Sequence, residues 1–129
     1  MTIIQEIRKP SGSKNPDFTT GSALSNCFKF NCIVCETELE LNLGYQIENS
    51  WKGKTENIST EEENNAKIFY RIGIFRRAID GGLAVFDKIK CRKCKNEYLT
   101  FCSVNEFSNS AYYVIVQGIG LIEYKKNGV

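Results

Sequence analysis

Hydrophobic and polar residues alternate most strictly between Glu38 and Ile47. Leu39, Leu41, Leu43, Tyr45 and Ile47 hold one parity, and Glu38, Glu40, Asn42, Gly44 and Gln46 the other. A period of two puts the five apolar side chains on one face, which predicts a half-buried antiparallel strand over 39–47. Phe28 and Phe30 alternate with Lys29 and Asn31 and predict a shorter strand just upstream. Residues 83–90 and 98–104 read as two further strands. The β-rich run Tyr112-Tyr-Val-Ile-Val116 reads as a strand central in a sheet. Phe107-Ser-Asn-Ser110 is a turn signal, and Gly118 and Gly120 mark a bend or bulge before residues 121–124 continue the strand.

The spacing changes in the middle of the chain. Ser59-Thr-Glu-Glu62 fits a capping box, in which serine caps the first free amides and glutamate reaches back. A helix over about 60–80 follows, with Ile68, Ile72, Phe75 and Ile79 on one stripe and Gly81-Gly82 at its end. Ile68, Tyr70, Ile72 and Ile74 also alternate, so residues 66–79 leave a strand open; the helix is the preferred reading. Residues 49–65 are polar and acidic, with Trp51 and Ile58 as isolated apolar residues. Trp51 either packs over a core edge or stands as a surface anchor for a partner. Residues 1–26 hold Pro10, Pro16 and a stretch rich in Ser, Thr, Gly and Asn, which predicts a mobile N-terminal arm; Ile3, Ile4 and Ile7 could dock or form one helical turn. Residues 27–124 are expected to form one domain, and 125–129 to fray.

Composition narrows the chemistry. A chain of 129 residues that is 42% apolar can build one small core, for which a metal staple helps. The net charge of +2 rules out a polycation. No apolar run reaches the roughly 18 residues a membrane span needs, and the N-terminus lacks the basic start and apolar centre of a signal peptide. A cytoplasmic setting, where thiols stay reduced, is therefore expected. The chain has six cysteines and no histidine. That excludes Ser-His and Cys-His dyads, His-ligated catalytic zinc and an imidazole base.

Four of the cysteines fall into two matching pieces, Phe30-Asn-Cys32-Ile-Val-Cys35 and Ile89-Lys-Cys91-Arg-Lys-Cys94. Each has an apolar residue two places before the first cysteine, and each continues with Glu (Glu38, Glu97) and then an apolar residue (Leu39, Tyr98). A tight Cys-x-x-Cys turn lets two sulfurs converge on one ion, and two such turns complete a tetrahedral four-sulfur site suited to structural zinc. The 55 residues between Cys35 and Cys91 form a long loop. Closing it with a metal is worth several kcal/mol as an order of magnitude. Such turns often carry a left-handed glycine after the second cysteine. Here Glu36 and Lys95 stand there, and Asn96 could take that conformation one place later. Cys27 and Cys102 read as small buried residues; a replacement ligand, a disulfide or a reactive thiol are the alternatives.

Charge is segregated along the chain. Residues 36–63 carry eight Glu and two Lys, and residues 67–95 carry nine Lys or Arg and two Asp. Lys88, Lys90, Arg92, Lys93 and Lys95 cluster around the second Cys-x-x-Cys, with Arg76 and Arg77 upstream. These seven could contact phosphates, with Tyr98 and Phe101 stacking on bases if exposed. Equally, the acidic and basic segments could face each other or lie solvated.

The order strand, Cys-x-x-Cys, strand, long insert, strand, Cys-x-x-Cys, strand resembles the zinc ribbon. It is also similar to the Yippee-like and Mis18-like zinc-stapled β folds, over about residues 28–101. The resemblance implies one structural zinc ion on Cys32, Cys35, Cys91 and Cys94, and a binding or scaffold role. The expected fold is α+β and mostly antiparallel β, zinc-ribbon-like, with one helix in the insert. The expected function is non-catalytic binding of a protein partner. The alternatives are nucleic-acid binding through the basic cluster and, last, a thiol-based redox protein.

Overall fold

The computed structural model describes residues 1–10, 16–19, 27–108 and 111–124. In chain order the elements are β1 (Thr2–Arg8), β2 (Phe18–Thr19), β3 (Cys27–Asn31), β4 (Glu38–Asn42), α1 (Leu43–Glu48), α2 (Thr60–Tyr70), β5 (Leu83–Lys90), β6 (Glu97–Ser108) and β7 (Ala111–Glu123). The larger sheet runs β1-β7-β6-β5, with β2 also on β7, and β3 and β4 form a separate hairpin. All these pairings are antiparallel, giving an α+β fold dominated by sheet.

The large sheet buries both faces. On one, Val85, Tyr98, Cys102, Val104, Val114 and Ile119 pack against the β3–β4 hairpin and α1 through Phe30, Leu39, Leu41, Leu43 and Ile47. On the other, Phe86, Leu99, Phe101 and Ile122 pack with Ala66 and Tyr70 of α2. β7 keeps its apolar side chains in phase by a bulge. Phe101 pairs with Gly118 but Cys102 with Val116, so Gln117 is the extra residue. The inward parity is even at Val114 and Val116 and odd at Ile119 and Leu121.

Gly118 faces α2. A Cβ there meets Tyr70 Oη at 2.5 Å. The Tyr70 ring cannot slide away, because it stacks on Phe86 and lies 4.8 Å from the Phe101 ring centroid. Gly118→Ala is expected to cost about 1–3 kcal/mol in urea unfolding. The Tyr70 hydroxyl is buried without a hydrogen-bond partner among the described residues, so adding Tyr70→Phe should recover part of the loss, the ring carbons at 2.7 and 2.9 Å keeping the rest.

Several sequence expectations are corrected. Residues 2–8, read as a mobile arm, form β1 on the edge of β7, and Asp17, Phe18 and Thr19 also join β7 through backbone hydrogen bonds and register. The β-branched run at Ile3 and Ile4 finds its partner some 120 residues away, where Gly120 leaves space for Ile3. The rest of the expected arm, residues 11–15 and 20–26, and the expected frayed end, residues 125–129, lie outside the described residues. The strand over 39–47 stops at Asn42, because the Asn42 side chain accepts from Tyr45 N and caps α1. The insert thus holds two helices rather than one.

The capping box at Ser59 and Glu62 is formed, but α2 ends at Tyr70 with Arg71 in the left-handed region at φ 56°. The proposed stripe therefore does not form: Ile68, Phe75 and Ile79 are exposed. Among the described residues no helix is long and apolar enough to cross a membrane.

Candidate metal centre

Each Cys-x-x-Cys closes a hairpin, the first between β3 and β4, the second between β5 and β6. The two repeat one backbone geometry. Cys32 N donates to Thr37 O and Glu36 N to Cys32 O, both at 2.8 Å. Cys91 N donates to Asn96 O at 2.8 Å and Lys95 N to Cys91 O at 2.9 Å. Glu36 and Lys95 are themselves left-handed, at φ 64° and 67°. Asn96, the residue expected to turn, instead pairs its carbonyl with Cys91. A left-handed non-glycine residue costs roughly 1–2 kcal/mol, offset here by the paired hairpin bonds.

These turns bring the four sulfurs together. The Sγ atoms of Cys32, Cys35, Cys91 and Cys94 all lie within 4.8 Å of one another and form a possible metal site. The close pairs, Cys32–Cys94 and Cys35–Cys91, are each 3.5 Å apart and cross between the hairpins. No disulfide joins any of the six cysteines, all of which lie among the described residues. Cys27 and Cys102 lie outside the four-sulfur group. Cys102 is buried in β6, and burial pushes its thiol well up, which makes it a poor nucleophile.

Side-chain donors surround the sulfurs. Tyr98 Oη donates to Cys32 Sγ at 3.0 Å and itself accepts from Ile33 N at 3.0 Å. Asn96 Nδ2 donates to Cys94 Sγ at 3.2 Å, and Thr37 Oγ1 lies 3.1 Å from Cys35 Sγ. Burial pushes the Cys32 thiol up, but the hydrogen bonds from Tyr98 and from the Cys35 and Val34 amides outweigh it and bring it down to about 6. The Cys94 amide draws the Cys91 thiol down against burial. At Cys94 the Asn96 bonds work downward, but burial and the neighbouring Cys32 and Cys91 sulfurs win and the thiol moves up. Four thiolates this close repel one another, and a bound cation removes that conflict.

Sequence reasoning missed Thr37 and Asn96, although both stand two places past the second cysteine of their turn and both are polar. It read Tyr98 as an apolar strand residue and a candidate base-stacking ring. Tyr98 is fully buried and Phe101 nearly so, so neither can stack on a base. Tyr98→Phe keeps the packing and removes the hydroxyl. It is expected to weaken metal binding about 10–100-fold in competition with a chromophoric chelator, with the metal count per chain unchanged.

The seven basic residues do not form one patch. Lys90, Arg92, Lys93 and Lys95 are exposed around the second turn. Lys88 is held by Glu62 at 2.9 Å and Glu97 at 3.2 Å, with Tyr124 Oη at 3.0 Å. Arg76 and Arg77 sit by the start of β5, bonded to the Trp51 and Gly81 carbonyls. The eight residues of β5, about 25 Å in length, separate them from the turn. Trp51 is 68% exposed, not packed over a core edge. No family model, curated protein or solved structure matches the chain.

Proposed function

We propose that the chain is a non-catalytic protein-binding module locked by one structural zinc ion on Cys32, Cys35, Cys91 and Cys94. The four-sulfur cluster carries this reading. Tetrahedral zinc with thiolates at about 2.3 Å sets its sulfurs about 3.8 Å apart. The closest pairs at 3.5 Å and the 4.8 Å outer limit bracket that value. Filling all four corners with protein sulfur leaves no place for water or substrate, the arrangement of a structural ion.

Contact surface is available toward the opposite end of β5 from the cluster. Trp51, Ile74 and Phe75 are 68%, 90% and 79% exposed, and the bond from Arg76 to the Trp51 carbonyl joins their two loops. Large apolar side chains this exposed serve as interface anchors.

Elemental mass spectrometry of the purified, reduced protein tests the metal half. One zinc per chain is expected, and metal-free folded protein overturns it. Affinity capture tests the binding half: a partner held by the wild-type chain should be lost from Trp51→Ala/Phe75→Ala with zinc intact. No retained protein from either chain overturns the binding half.

One observation favours a second reading, nucleic-acid binding: four cations stand exposed on the second turn. On that reading affinity falls with salt, and Arg92→Glu/Lys93→Glu weakens it about tenfold or more in fluorescence anisotropy. Equal affinity of the variant removes it.

A further inference from the structure

Two strand edges border one groove, and the register fixes which backbone groups face outward. Cys32 N donates to Thr37 O, and Phe30 pairs with Leu39 and Phe28 with Leu41. In an antiparallel ladder the bonded pairs alternate. Residues 37, 39 and 41 therefore turn their N–H and C=O toward β3, while Glu38 and Glu40 turn theirs away. β4 ends its sheet, so those four groups have no ladder partner among the described residues.

β5 ends the other sheet and is partly covered. Ala84 N bonds Arg76 O, Phe86 bonds Gly53 and Thr55, and Lys88 N bonds Asp87 Oδ1. Lys90, the next outward residue, is left open. The groove runs between Glu38, Leu39 and Glu40 on one wall and Ile89, Lys90 and Arg92 on the other.

We propose that this groove docks an extended peptide segment of a partner protein, which adds to β4 as a third strand. The inference rests on the protein-binding reading and gives it a second surface, distinct from Trp51 and Phe75. Main-chain bonds to Glu38 and Glu40 supply affinity, as in other strand-addition complexes. Side-chain chemistry selects the occupant. Half-buried Ile89 offers apolar contact to alternate residues, while Glu40, and Glu38 beside its 3.8 Å ion pair with Lys29, call for lysine or arginine between them. Lys90 and Arg92, opposite, take a carboxylate. A second copy of this chain is disfavoured, because pairing two β4 edges sets Glu38 and Glu40 against their own like charges. A nucleic acid meets the same acidic wall. The fitting segment reads basic–apolar–basic–apolar–acidic.

The test uses the zinc-loaded full chain and the labelled peptide Lys-Val-Lys-Val-Asp. Saturating peptide should slow amide hydrogen exchange at Glu38 and Glu40. Glu38→Lys/Glu40→Lys should weaken binding about tenfold, the loss of two charge pairs, with zinc content unchanged. Proline in place of the central lysine should abolish it. Binding with Glu38 and Glu40 exchange unaltered, or no binding at millimolar peptide, overturns the proposal; so does a single-stranded oligonucleotide that protects the groove when the peptide does not. If the peptide fails while partner capture still depends on Trp51 and Phe75, the groove proposal falls and the binding reading stands. If capture fails as well, both fall.

Discussion

Cys32→Ser is expected to empty the metal centre and lower the thermal midpoint by about 10–20 °C, the counterpart of several kcal/mol in a chain of this size. Cys32 is a tightly held member of the four-sulfur group. It is almost fully buried, it takes the Tyr98 hydrogen bond, and its backbone closes the first hairpin at both N–H and C=O. Serine offers a hard, weakly acidic hydroxyl in place of a thiolate, which zinc-type sites disfavour. Its loss also releases the clamp between hairpins that lie on two different sheets. A chelator at neutral pH should reproduce the same drop in the wild-type chain. Acidification should release the metal too, because protons compete for the sulfurs. Cys102→Ser is the control. It buries a hydroxyl at a cost of about 1–3 kcal/mol but should keep one metal per chain. Full metal and an unchanged midpoint in Cys32→Ser would show that the cage does not hold the fold.

Asp87→Ala carries the next largest expected effect, about 3 kcal/mol in urea unfolding. The Asp87 carboxylate is buried on β5 and accepts from Gln46 Nε2 at 2.8 Å, Asn57 Nδ2 at 3.2 Å, Lys88 N at 2.7 Å and Thr55 Oγ1. It therefore ties α1 and the following loop to the sheet. Removing it leaves the buried Thr55 hydroxyl without its acceptor and Gln46 Nε2 with only the Asn42 carbonyl at 3.3 Å, each at about 1–3 kcal/mol. Asp87→Asn keeps the shape but turns an amide donor toward other donors, and should recover only part of the loss. A change below about 1 kcal/mol in Asp87→Ala would contradict this account of the network. The unfolding slope should stay constant, since the same surface is exposed on denaturation.

These two sites differ in how far the sequence exposes them. The cysteine cluster is legible because ligand chemistry imposes its spacing, and the two turns repeat the same placing of cysteines, glutamate and flanking apolar residues. The sulfur donors are not, because Thr37 and Asn96 reach the sulfurs only through left-handed turns at Glu36 and Lys95 that glycine-based rules place elsewhere. β5, β6 and β7 follow from apolar runs, and the start of α2 from its capping box. The switch at Asn42 was hidden by its own pattern. Leu43 and Ile47 are four apart, so they serve a helix as well as a strand, and a cap of one hydrogen bond decides between them. Gln46, on the polar parity, is fully buried because Asp87 waits for it across 41 residues. β1 is invisible locally, since its ladder partner is the distant β7 and its apolar side chains Ile3 and Ile7 pack on cores built by other elements.

The extra residue at Gln117 bears on how this chain can vary over time. Elsewhere in β7, gaining or losing one codon reverses every subsequent side chain and exchanges those that face the β3–β4 hairpin with those that face α2. At Gln117 the loss of one codon joins Val114 and Val116 to Ile119 and Leu121 in a single uninterrupted phase. Length changes among descendants of this gene should therefore concentrate at that point of the strand, and a flat, unbulged β7 is the form to which such a deletion leads.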